Sequence, residues 1–162
     1  MKDEKLHPET GMPVCSIVFV LHNAQYEVEQ RLTPFLSRQL NAELIIIDDA
    51  SEDGTDHAVT SLLDHHDFED TVYLRNDTRR GVALCLNEAL VHASTPVLLI
   101  VDINLSVHIE ALQQALARLE ESDAAFASVS GAGYGEPENL RQLIYVQQIP
   151  ASAALLLFTK RI

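Results

Sequence analysis

Carboxylates at the ends of two apolar runs are the residues of this sequence best suited to chemistry. In residues 43–55, ELIIIDDASEDGT, the run Leu44, Ile45, Ile46, Ile47 stops at Asp48 and Asp49, and residues 50–54 have the composition of a turn. Two adjacent carboxylates repel each other, so they must be hydrated, hydrogen-bonded or near a cation. The competing explanation is that one Asp caps the next helix or turn while the other is solvated. In residues 97–104, VLLIVDIN, a second apolar run stops at Asp102, Ile103 and Asn104. Between the two, RNDTRRG over 75–81 gathers Arg75, Arg79 and Arg80, three of the chain's eleven Lys and Arg. Acidic groups able to hold a divalent cation, beside arginines able to hold phosphate, describe a site for a nucleoside diphosphate. Neither G-x-G-x-x-G nor G-x-x-x-x-G-K occurs, so phosphate would have to be held by a metal and side chains.

These groups meet only if the chain brings the ends of its strands together. Leu44 to Ile47 are apolar without alternation, which suits a strand covered on both faces, as in a parallel sheet packed between helices. Residues 14–21 (VCSIVFVL) and 97–101 (VLLIV) read the same way, and 71–74 (TVYL) gives a short third strand. Val28, Leu32, Phe35, Leu36 and Leu40 keep near-helical spacing, although Pro34 should kink or divide that helix near Leu32 and Thr33. Further helices are predicted over 55–63, 82–93 and 107–121, the last with Leu112, Leu116 and Leu119 inward. Alternation of strand and helix predicts an α/β fold with right-handed crossovers, in which Asp48, Asp49, Asp102 and Asn104 line one crevice beyond the strand ends. The arginine loop should open onto the same edge. Downstream, 124–129 (AAFASV) reads as an edge strand, 131–138 as a flexible Gly/Pro-rich loop and 149–158 (IPASAALLLF) as a last strand.

At 162 residues and 47% hydrophobic, the chain can build one domain with a real core. Its net charge of -13 disfavours nucleic acid and anionic membranes as partners. Residues 1–13 read as a polar leader and 14–162 as the domain, with no signal peptide and no run near the roughly 18 apolar residues of a membrane span. Cys15 and Cys85 lie in apolar segments without metal-ligand spacing, which makes them reduced core residues and suits a cytoplasmic protein. His65, His66 and Asp67 adjoin on a helix end and point in different directions, so they read as a solvated terminus, and His108 as a solvated helix start.

In their order, these motifs resemble the nucleotide-binding half of the family 2 glycosyltransferases. The pieces are the opening strand ending in His22 and Asn23, the D-D-x-S-x-D-G-T stretch from Asp48 to Thr55, and Asn76 with Gly81, Ala83, Asn87 and Ala93, which resembles an N-x-G-x-x-x-A-x-N helix with a longer first spacing. The last is Asp102-Ile103-Asn104, where that family carries D-x-D. The resemblance runs over 14–162 and implies the GT-A fold, a Rossmann-like three-layer sandwich around a mostly parallel sheet. It implies that Asp49 accepts a hydrogen bond from the base, usually uracil, with Val20 and Asn23 flanking base and ribose. Asp102 would lie by the ribose or the metal waters, position 104 would bind the Mn²⁺ or Mg²⁺ that bridges the diphosphate, and Arg80 belongs to the phosphate-side loop. Asn at 104 is a weaker ligand for a hard cation than Asp, so metal affinity should be lower. Val20 and His22 stand where Pro or Thr and Tyr are common.

The activity implied is transfer of a sugar from a nucleotide-diphosphate sugar, with UDP as the expected nucleotide, inverting at the anomeric carbon. No Glu-Asp base motif follows residue 158, so the expectation is a donor-binding half truncated before the base, with self-association through the face so exposed. Glu136 and Glu138 read as loop residues. Two alternatives stand beside it: a non-catalytic relative serving in nucleotide-sugar binding or assembly, and a phosphoacceptor receiver domain. The last is disfavoured because the first strand ends in His22-Asn23 rather than an acid pair.

Overall fold

The computed structural model describes residue 13 and residues 15–36, 41–66, 70–95, 97–104, 107, 109–120, 126–128 and 154–158. Most of the leader, Leu40, Asp67, His108 and the loop over 131–138 lie outside the described residues, and Leu119 and the last two strands are described by backbone alone.

Six strands form one parallel sheet. They are β1 (Cys15–Leu21), β2 (Ala42–Asp48), β3 (Thr71–Arg75), β4 (Val97–Val101), β5 (Phe126–Ser128) and β6 (Ala154–Phe158), in the order β3-β2-β1-β4-β6-β5. All seven residues of β2 are buried, as an unalternating apolar run requires of an inner parallel strand. Each of its isoleucines contributes on the order of 1.5–3 kcal/mol by leaving water. The side chains divide by parity. Ile17, Phe19, Leu44, Ile46, Leu99 and Val101 face one side, and Val18, Ile45, Ile47, Leu98 and Ile100 face the other.

The first side is covered by α1 (Val28–Leu32), α2 (Thr55–His65) and α4 (Ile109–Glu120), and the second, among the described residues, by α3 (Val82–His92). Pro34 divides the first helix as expected: α1 ends at Leu32 and a 3-10 turn, Thr33–Leu36, follows. That turn sets Phe35 edge-on against Phe19, ring centroids 5.1 Å apart.

The expectation of uniformly right-handed crossovers needs a correction. The chain moves from β1 to β2 to β3 over the first side and returns to β4 over the second, which keeps one hand. It then moves outward from β4 to β5 while α4 lies on the first side, and that connection has the opposite hand. The cause is local: Ile109 and Leu112 of α4 close over Val101 and Ile103, which are buried on the α1 and α2 side.

Candidate functional site

Strands β2 and β4 flank β1, and the chain leaves β1 in one direction and returns on its other side. The loops beyond Leu21, Asp48, Arg75 and Val101 therefore meet at a topological switch point, where open α/β sheets bind ligands.

Asp48 and Asp49 divide their work by parity. Asp48 continues the side of Leu44 and Ile46 and has no exposure at all. Its Oδ1 accepts the Ser51 N–H at 2.9 Å and the Ser51 hydroxyl, and its Oδ2 lies 3.4 Å from Arg75 Nε. Arg75 also reaches Asp56 at 3.2 Å and the Ser51 carbonyl at 3.1 Å. Ala50, at φ 55°, turns the chain back so that Ser51 can reach Asp48. Asp48 is thus a strut of the turn, and the expectation that it lines the crevice is corrected: adjacent residues at a strand end point to opposite sides of the sheet.

Asp49 turns to the α3 side and is 2% exposed. Its Oδ1 accepts from Asn76 Nδ2 at 2.9 Å and from the Arg80 N–H at 2.8 Å, and its Oδ2 accepts from the Gly81 N–H at 2.8 Å. Burial pushes this carboxyl up, but the Arg80 N–H, the Asn76 amide and the Gly81 N–H together hold it below the usual carboxylate range. Gly81 precedes α3 at φ 86°, a conformation that L side chains rarely adopt. Asp49 thus holds the N–H groups of the two residues that lead into α3, next to the positive end of that helix.

The rest of the D-D-x-S-x-D-G-T stretch stitches two loops together. Ser51 Oγ accepts the Asn23 N–H at 2.9 Å, and Thr55 Oγ1 accepts the Ala24 N–H at 2.8 Å. Asn23, at φ 52°, in turn accepts the Glu52 N–H at its Oδ1, at 2.9 Å. Asp53 holds the Thr55 N–H at 2.9 Å and the Gln25 N–H at 3.2 Å. His22 joins its Nδ1 to the Asp49 carbonyl at 2.9 Å.

Of the remaining expected site residues, Val20 is partly buried against the α3-side cluster, on the side of the sheet that Asp49 takes. Arg80 does not offer a free cation, because its guanidinium is paired with Glu88 and lies 3.4 Å from Asn76 Oδ1. Arg79 is exposed and has no partner among the described residues. Asp102 Oδ1 accepts both the Asn104 N–H and Asn104 Nδ2, each at 2.9 Å, which leaves the Asn104 amide oxygen turned to other uses. No group of three or more His, Cys, Asp or Glu that could hold a metal exists among the described residues. One carboxylate and one amide oxygen fit a hard cation that keeps its waters and draws further ligands from a substrate's phosphates.

Sequence reasoning missed two features. Asn76 was visible only as a motif letter, yet it ties β3, Asp49 and α3 together. The second lies at the opposite edge, where Glu43, 8% exposed, accepts the Ser16 hydroxyl, the Ser94 N–H at 2.6 Å and the Ser94 hydroxyl at 2.7 Å. A lone Glu before an apolar run was its only signal. Both cysteines are fully buried and free, and burial pushes Cys15 up to about 12 and Cys85 to about 11, so neither supplies a thiolate.

The fold and the strand-end site define a GT-A type domain. The sequence profile described as glycosyl transferase family 2 matches residues 16–159, and the chain belongs to that family. Among solved structures, the mannosyltransferase PcManGT from Pyrobaculum calidifontis, in complex with GDP-Man and Mn²⁺, aligns with a TM-score of 0.67 at 23% identity, over 82% of this chain and 38% of that one. TarS of S. aureus aligns at 0.61 and 20% identity, over 76% of this chain and 38% of its own, and its complex with UDP-GlcNAc aligns at 0.62. The chain thus spans less than two-fifths of the length of these structures. Compared with curated proteins, the sequence finds no match. No described helix is long and apolar enough to cross a membrane.

Proposed function

We propose that this chain is the donor-binding part of a glycosyltransferase, holding a nucleotide-diphosphate sugar, and specifically a UDP-sugar, for inverting transfer to an acceptor hydroxyl. The observation that supports the reading is that the segments bearing Asn23, Asp49 and the Asp102–Asn104 pair follow the adjacent strands β1, β2 and β4 at the switch point of a family 2 domain. The Asp49 carboxyl is held below the usual carboxylate range and oriented by three donors, which suits an acceptor for a base N–H. Two family structures hold UDP-GlcNAc and GDP-Man, which supports a nucleotide sugar as the ligand class. Asp102 and Asn104 would hold Mn²⁺ or Mg²⁺ together with the diphosphate, and the ion would supply charge neutralisation for the departing diphosphate. The protein's own part is to fix the nucleotide: Asp49 at the base, Asn23 and Val20 beside it, and Arg79 in the loop that Asp49 anchors.

A second reading, nucleotide-sugar binding without catalysis, is favoured by one observation. Residue 104 is a neutral Asn whose amide nitrogen is turned to Asp102, so the pair brings one carboxylate where two would hold a cation more strongly. Calorimetric titration with UDP and GDP, with and without Mn²⁺, tests both. Metal-assisted UDP binding that weakens at least about tenfold in Asp102→Ala supports a working donor site. Binding indifferent to metal favours the second reading, and no binding by a folded sample defeats both.

A further inference from the structure

We propose that Asn76 selects the nucleobase, by filling one oxygen of Asp49 so that the carboxylate offers the ligand a single acceptor position. The inference rests on the donor-site reading, in which Asp49 meets the base.

A carboxylate has about four acceptor positions. Asn76 Nδ2 and the Arg80 N–H take both on Oδ1, and the Gly81 N–H takes one on Oδ2. The fourth is met by nothing stronger than the buried Cys85 thiol, a weak donor. The orientation of Asn76 is set by its surroundings: its amide oxygen faces the Arg80 guanidinium at 3.4 Å, its amide nitrogen faces Asp49, and its own N–H is tied to the Asp48 carbonyl at 2.9 Å. At 9% exposure it has little room to turn.

Nucleobases differ in what they bring to such a group. Uracil presents one imide N–H between two carbonyls. Facing a bare carboxylate, one of those carbonyls would meet the second oxygen and be repelled, but here two donors already draw charge from Oδ1. Guanine presents an imide N–H and an amino group side by side, and that pair calls for both oxygens. With Oδ1 filled, the amino group enters a nearly buried site without an acceptor, a penalty equivalent to roughly ten- to hundredfold in affinity. Rejection of guanine is then the work of a residue that need not touch the base.

Inosine diphosphate separates this idea from simple discrimination by size, because it is a purine with the imide N–H and without the amino group. Titrated at fixed Mn²⁺, the native chain should bind UDP, and should bind inosine diphosphate at least about tenfold tighter than GDP. Asn76→Ala frees a place on Oδ1, so GDP should draw level with inosine diphosphate or pass it, and Asn76→Ser should do the same. A loss of folding stability weakens all three ligands alike and leaves their ratios unmoved. GDP binding as tightly as inosine diphosphate to the native chain overturns the inference without any variant, and so do ratios unchanged in the folded variants. If the native chain binds none of the three, the donor-site reading itself fails.

Discussion

Asp48 and Asp49 are alike in the sequence and have different roles in the molecule. Composition marked the pair as consequential, and the alternation of strand side chains, carried one residue past Ile47, was enough to send them to opposite sides. What each meets there was not legible, because Asn76 and Gly81 come from a loop 27 and 32 residues further on. The ionisation of Asp49 ties that loop to pH. Its folded carboxyl lies below the unfolded value, so its contribution is fully present above the ordinary carboxylate range near pH 4 and is lost as pH falls through the folded value. Asp53, lowered against its desolvation by Thr55 and Gln25, acts in the same direction. Protection of the Arg80 and Gly81 amides from exchange should therefore drop on acidification below about pH 4 in the native chain. In Asp49→Asn it should be low from the start and change less with pH.

Among the elements, the strands were the most legible, because an uninterrupted apolar run bounded by turn residues admits few other structures. Strand β2 extends one or two residues beyond its apolar run at either end, since backbone pairing continues where the side chains turn polar. Pro34 was legible as a break, but its purpose was not. Without it, Phe35 would follow the helical path; with it, the ring drops onto Phe19, and both are almost fully buried. Truncating Phe35 to Ala should cost about 3–5 kcal/mol, read as a lower denaturant midpoint with an unchanged slope. A shallower slope would mean instead that the 3-10 turn had come loose in the folded state.

For the whole molecule, the parallel order and the helix layers followed from the strand-helix alternation, whereas the side taken by α4 did not. That choice shows only in the packing, where Ile109 and Leu112 join the cluster of Val101 and Ile103. The same holds at the edge remote from the crevice, where Glu43 joins the start of β2 to Ser16 of β1 and Ser94 ahead of β4. Glu43→Ala takes the acceptor from the buried Ser16 hydroxyl, at about 1–3 kcal/mol, while exposed Ser94 can turn to water, and it should lower the melting temperature more than Glu43→Gln does. Three central strands are thereby pinned at their beginnings. A slip of one residue between parallel strands would carry an end about 3.3 Å along its axis and turn its side chains to the wrong face. The distance between the loop bearing Asn23 and the turn bearing Asp102 is accordingly gauged from the far end of the sheet, so the dimensions of the crevice depend on a carboxylate that no ligand in it can touch.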